Sequence, residues 1–341
     1  MPLSILSFRK IISLAYLALA LAGGALITLA FSHQAQARFF LVKPYDFASE
    51  LEARRPDLIL VGNSWVFSNI DKALLETELS VRLGRPIRAL FATEGGSTAA
   101  WSYLVLKNQI AASGAAGIPV GIFTTGTSLT NLDWDFNARQ LWSLGKLLSN
   151  DEEAFLAKLD RRHRRPLVLL RHMPDRWLIC KYLLRRWANI WLNWLPGPPD
   201  AQALLESRFR LSPTRSFDLL KAITDEPEPR DQRACLHLAE CVDKTFLPDM
   251  IQTMKRFRLF VVEIRQRPGT LDPQAMSAYR RDLSRYLSDN GVVYISLRSR
   301  RELGDTGLFH DENHLNQRGR AINTRLVADE IIRQKLFSNS Y

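Results

Sequence analysis

Two short stretches of the chain carry residue types that can move an acyl group. The first is Leu60-Val61-Gly62-Asn63-Ser64-Trp65, an apolar run that passes through a glycine into a serine. A serine hydroxyl is a weak nucleophile until a general base takes its proton. The second is His310-Asp311-Glu312-Asn313-His314-Leu315-Asn316, near the carboxyl terminus. An Asp and a His three residues apart in one turn can sit side by side. The carboxylate then fixes the imidazole tautomer while the other ring nitrogen faces a serine. Each stretch also has a plainer reading. Ser64 can serve as a helix cap or turn residue, and Asp311 or Asn316 can cap a following helix. His310 and His314 have the i,i+4 spacing of metal ligands, but Asp311 stands where the His-Glu-x-x-His zinc motif needs Glu, so no metal or cofactor is expected.

Such chemistry needs a frame that joins residues far apart in sequence. Five short apolar runs read as strands, each followed by Gly, Ser or Pro: Leu58–Val61, Ile87–Phe91, Val120–Thr124, Leu259–Ile264 and Val292–Ile295. Helical patterns fall between or after them at Asp71–Arg82, Ala99–Ala112, Pro273–Ser288 and Arg320–Phe337. This alternation predicts a three-layer α/β/α sandwich on a five-stranded parallel sheet. Sheets of this kind carry their sites at the carboxyl ends of the strands, which is where Ser64 would stand.

The two motifs, in this order and at this separation, resemble the SGNH/GDSL hydrolase superfamily over about residues 55–335, apart from one long insertion. Gly62-Asn63-Ser64 is similar to that family's nucleophile block, with Asn63 where the family usually has Asp, a position that performs no proton transfer. Asp311-Glu312-Asn313-His314 is similar to its terminal Asp-x-x-His block. The resemblance implies a flavodoxin-like domain in which Ser64 attacks, His314 is the base and Asp311 orients it. It also implies an oxyanion hole from a glycine after the second strand and an asparagine after the third. Thr93-Glu94-Gly95-Gly96-Ser97 offers Gly96 or Gly95, and Thr125-Gly126-Thr127-Ser128-Leu129-Thr130-Asn131, which has no Gly-x-Asn, offers Asn131. With an amino-terminal anchor, the chain resembles the exported branch of alginate-acetylation and lipoteichoic-acid D-alanylation factors. The implied partners are an acyl donor, an envelope polysaccharide and a multispanning membrane acyltransferase. An esterase or deacetylase of the same fold, and a non-catalytic glycan-binding scaffold, are the alternatives.

The anchor is read from the residues themselves. Ile11–Phe31 is an uncharged run of 21 residues behind Arg9 and Lys10. As a helix it spans about 30 Å, the thickness of a bilayer core. Ala35-Gln36-Ala37 beyond it offers a signal-peptidase pattern. Residues 1–40 are thus a membrane anchor or signal, and 41–341 the catalytic domain. Export would set that domain in the periplasm or on the outer side of a bacterial inner membrane, which argues against nucleic acid as a partner. An oxidising compartment makes Cys235 and Cys241 a candidate pair. On one straight helix their Cα atoms would be about 9 Å apart, so a bridge needs a turn there. Cys180 is then a lone thiol.

With 341 residues, 46% hydrophobic and 24% charged, the chain is neither disordered nor fibrous. Its net charge of +11 favours an anionic partner. Much of that charge sits in the insertion, residues 132–255, read as helical, basic and Trp-rich. Arg161–Trp187 holds nine Lys/Arg against one acid, Asp175. Trp177, Cys180, Leu184, Trp187, Trp191 and Trp194 trace one helical stripe. The stripe either packs on the sheet or anchors the segment at a membrane, and the basic face is either solvated or draws in an anionic polymer or lipid headgroups. The insertion leaves the third strand at the edge where Ser64 stands, so it can wall the site.

Overall fold

The apolar runs pair because a parallel strand buried on both faces can be apolar at every position. The strands are β1 (Leu58–Gly62), β2 (Ala89–Thr93), β3 (Pro119–Thr124), β4 (Arg258–Glu263) and β5 (Val293–Ser296). All pairings are parallel, in the order β2-β1-β3-β4-β5. This is a doubly wound order whose direction reverses at β1, and ligand crevices form at such a switch point. The computed structural model describes residues 47–114, 116–131, 138–149, 152–159, 167, 235–267 and 273–337. The expected anchor Ile11–Phe31, nearly all of the basic cluster, the tryptophan stripe and Cys180 lie outside these residues. No helix among the described residues is long and apolar enough to cross a membrane.

Alternate strand residues face opposite ways, and each face has its own helices. Leu58, Leu60, Phe123, Phe260, Val262 and Ile295 face α2 (Ser64–Asn69), α3 (Lys72–Leu83) and, at the end of the chain, a helix over Gln317–Arg333. Ile59, Val61, Leu90, Val120, Ile122 and Val261 face α1 (Phe47–Arg54) and α4 (Ala99–Val105). The same face takes α5 (Ala138–Leu147), α6 (Glu153–Lys158), α7 (Leu238–Cys241), α8 (Leu247–Thr253) and α9 (Pro273–Asp289). The last helix is therefore α10. The insertion thus begins and ends as short helices packed on the sheet: Phe155 of α6 lies 6.0 Å from Tyr103 and 5.2 Å from Phe246, ring centre to ring centre.

Three expectations need correction. The strand expected at Ile87–Phe91 starts two residues later. Ile87 is buried, so it reads as strand, but its N–H donates to Ser80 Oγ (2.8 Å) and not to the sheet. The helix expected over Ala99–Ala112 is α-helical only to Val105, then continues as a π turn at Leu106–Ile110 and a 3₁₀ turn at Ala111–Ser113. Within the π turn, Lys107 and Asn108 reach the buried Glu152 carboxylate at 2.9 and 2.6 Å. The closing helix starts at Gln317, not Arg320, because Asn316 caps it by accepting the Gly319 N–H (3.1 Å).

Cys235 and Cys241 form a disulfide with Cα atoms 5.8 Å apart. The required turn exists: Cys235 precedes α7, and Cys241 ends it.

Candidate active site

β1 delivers the serine. Its last residue, Gly62, has no room for a side chain, since a Cβ there would lie 2.8 Å from Val66 Cγ2. That close approach lets α2 start directly above the sheet. Asn63 caps α2 by accepting the Trp65 N–H at Oδ1 (2.9 Å). The capping role offered for Ser64 therefore falls to its neighbour. Ser64 becomes the first residue of the helix, partly buried, with its hydroxyl turned to the carboxyl-terminal turn.

That turn is built by its own aspartate. Phe309 and Leu315 form an antiparallel bridge, and the His310 N–H donates to the His314 carbonyl (2.7 Å). Asp311 Oδ1 accepts the N–H groups of Asn313 and His314, both at 2.8 Å. The His314 ring then meets the same carboxylate, with Nδ1 3.0 Å from Oδ1 and 2.8 Å from Oδ2. A carboxylate only accepts, so Nδ1 carries a proton, and in the neutral ring Nε2 is the acceptor. Nε2 lies 2.9 Å from Ser64 Oγ, across 250 residues of sequence. Partial burial raises the Asp311 carboxyl, but the bonds from the Asn313 N–H, the imidazole and the His314 N–H outweigh it and hold the group below its ordinary value. Asp311 is thus an anion at neutral pH, aligned on the imidazole.

Three residues that carried no sequence signal hold this turn in place. Asn69, the last residue of α2, donates from Nδ2 to the Asn313 carbonyl (2.9 Å) and accepts the Leu315 N–H (2.7 Å). Beyond β4, Gln266 donates to Asn313 Oδ1 (2.9 Å), and the Arg267 N–H donates to the Glu312 carbonyl (2.9 Å). A polar residue ending one element and serving another 244 positions away has no local pattern to betray it.

The glycine candidates stand at the neighbouring strand end. Gly62 and Thr93 are in register, and the Glu94 N–H donates to the Gly62 carbonyl (3.2 Å), so the turn 94–97 leaves from beside the serine strand. Gly96 takes φ +70°, a left-handed conformation that favours glycine. Helix α5 of the insertion holds this turn at two points. Gln140 donates to the Gly96 carbonyl, and the Ser143 hydroxyl donates to the buried Glu94 carboxylate while accepting the Trp101 indole N–H (3.0 Å).

Asn131 ends the turn after β3 and is 5% exposed. Its neighbour Thr130 pairs with the Tyr279 hydroxyl of α9 (2.8 Å) and accepts the N–H of disulfide-bonded Cys235 (3.3 Å). Burial pushes the Tyr279 phenol far up, so it stays a neutral partner. The structure thus joins Ser64, His314 and Asp311 by hydrogen bonds and sets Gly95 and Gly96 on the adjacent strand end. It carries Asn131 on a turn braced from the α9 layer. His310 sits in the same turn as His314, and among the described residues no group of three or more His, Cys, Asp or Glu is arranged to hold a metal ion. No protein-family model matches the chain, and no curated protein matches its sequence.

Proposed function

We propose that the chain is a serine-dependent acyl-transfer enzyme of the SGNH/GDSL type, anchored at the bacterial inner membrane and acting outside it on an envelope or secreted polysaccharide. One observation carries the reading: Asp311, His314 and Ser64 form an unbroken hydrogen-bonded chain with its hydroxyl end at the β1 switch point. In the reaction, His314 Nε2 takes the Ser64 proton as Oγ attacks the acyl carbonyl. The oxyanion is met by the Ser64 and Gly96 or Gly95 amides, with Asn131 as third donor. Collapse breaks the bond to the leaving oxygen, which receives the proton from His314. A sugar hydroxyl then gives its proton to His314 and attacks the acyl-serine, and as the acyl–Oγ bond breaks His314 returns that proton to Ser64 Oγ. Water in that last role gives an esterase from the same groups.

The supports for location and partner are chemical. The uncharged run Ile11–Phe31 has the length of a membrane span, and a structural disulfide belongs to oxidising compartments. An anchored enzyme of this kind would draw its acyl group from a multispanning acyltransferase in the same membrane. The test uses the full chain in detergent with an alkyl fluorophosphonate and with an aryl acetate. Wild type should label on Ser64 and turn over the ester, and Ser64→Ala should lose about 10⁴-fold or more in turnover. Equal labelling of Ser64→Ala would remove the nucleophile, and a wild type that neither labels nor turns over would leave the glycan-binding scaffold.

A further inference from the structure

We infer that Asn69 is the positioning residue that sets His314 against Ser64; this rests on the acyl-transfer reading above. Hydrogen bonding to the turn is divided in a particular way. Asp311 binds the imidazole but belongs to the same turn, so it orients the ring without fixing where the turn stands. The turn is placed from outside, and Asn69 makes the bonds nearest the base. Its carboxamide spans the residue: Nδ2 binds the carbonyl of Asn313 on one side, and Oδ1 binds the N–H of Leu315 on the other. Only a group with a donor and an acceptor side by side satisfies both peptides, and a carboxamide is the side chain that has them.

Asn69 is itself fully buried, and its own carbonyl accepts from Nδ2 of fully buried Asn323 (2.9 Å). The clamp is therefore rigid at its foot. Its second property is where it comes from. Ser64 opens α2 and Asn69 closes it. One short helix thus carries the nucleophile at one end and the holder of the base at the other. The 2.9 Å contact across 250 residues is referenced through the six residues of one helix.

Such a residue touches no substrate, so its loss should fall on turnover and not on substrate affinity. A displacement of about 1 Å at the reacting groups costs on the order of 10²-fold. In the full chain, Asn69→Ala should lower kcat for an aryl acetate by about 10- to 100-fold with KM within about twofold. His314 should become several-fold more reactive to diethyl pyrocarbonate, read by peptide mass spectrometry. Asn69→Asp keeps the acceptor for Leu315 but sets a buried carboxylate oxygen against the Asn313 carbonyl, a repulsion that Asn69→Ala lacks, so it should lose at least as much as Asn69→Ala in both measurements. Asn69→Ser, close to Ala in size and still polar, serves if Asn69→Ala does not fold, and should lose turnover in the same direction. Leu79→Ala, a cavity in the same layer, supplies the stability control. The proposal is overturned if Asn69→Ala keeps kcat within about twofold, or if Leu79→Ala at equal loss of Tm loses as much turnover. Should Ser64→Ala retain wild-type turnover, the acyl-transfer reading fails by itself. The pyrocarbonate rate then decides the clamp alone: faster in Asn69→Ala sustains it, unchanged overturns it.

Discussion

The two turns that flank Ser64 are held by different parts of the molecule. The turn 309–315 is gripped by Asn69 at the end of the serine's own helix, by Gln266 and Arg267 beyond β4, and by its internal Asp311 bonds. The turn 94–97 bonds to β1 through the Glu94 N–H and to the insertion through Gln140 and Ser143. In the proposed reaction the first turn activates the nucleophile and the second stabilises the charge that develops. Activation is thus referenced to the sheet and α2, while charge stabilisation is referenced to a segment added between β3 and β4. The two steps should fail separately.

The largest separation should come from Asp311→Asn. In a buried triad this change costs about 10⁴-fold by favouring the wrong tautomer. The Asp311 side chain is 49% exposed, so water competes for the imidazole and the loss should be nearer 10²-fold in kcat. Its stability signature has a definite sign. The folded-state carboxyl lies below its ordinary value, so its contribution is present above about pH 4 and fades as pH falls through the lowered value. The gap in Tm between wild type and Asp311→Asn should hold from neutral pH to about pH 5 and close in stronger acid. A gap that widens in acid would reverse the assignment.

A smaller effect belongs to the other turn. Gln140→Ala with Ser143→Ala should reduce kcat about tenfold, a fraction of the 10²- to 10³-fold that one oxyanion donor is worth. Fluorophosphonate labelling of Ser64 should fall with it, while the pyrocarbonate reactivity of His314 stays at the wild-type rate. If that reactivity rises as well, the two turns are one unit and the contrast is lost.

The smallest effect concerns the third turn. Replacing Cys235 and Cys241 by Ser removes a short loop closure worth about 2 kcal/mol. The backbone bond from Cys235 to Thr130 passes that loss to the turn ending in Asn131. Unfolding should come several degrees earlier, with less than about threefold change in kcat.

The sequence made the sheet legible because its strands are short, mainly apolar runs, and the central ones, β1 and β3, are buried at every residue. It misled at Ile87, where burial without strand pairing looks the same, and at Leu106–Ile110, where a helix whose residues look ordinary widens into a π turn bonded to Glu152. Ser64, Asp311 and His314 were readable because each motif is local: a glycine entering a turn, an Asp three residues before a His. Asn69, Gln140 and Ser143 were not readable, since each acts on a turn at least 40 residues away, through bonds that composition and period do not encode.

The short helix α2 has a consequence for how such a centre can be moved or varied. A helix advances about 1.5 Å and turns about 100° with each residue. One residue added or removed between Ser64 and Asn69 would therefore swing the carboxamide away from the peptides of Asn313 and Leu315, whatever its chemistry. The turns at 94–97 and 125–131 are not helical and obey no such periodicity. The indivisible piece of this centre is then 62–69 together with 309–316. A graft onto another doubly wound sheet would have to transfer both with their lengths intact, and would still have to supply oxyanion donors in place of the turns 94–97 and 125–131.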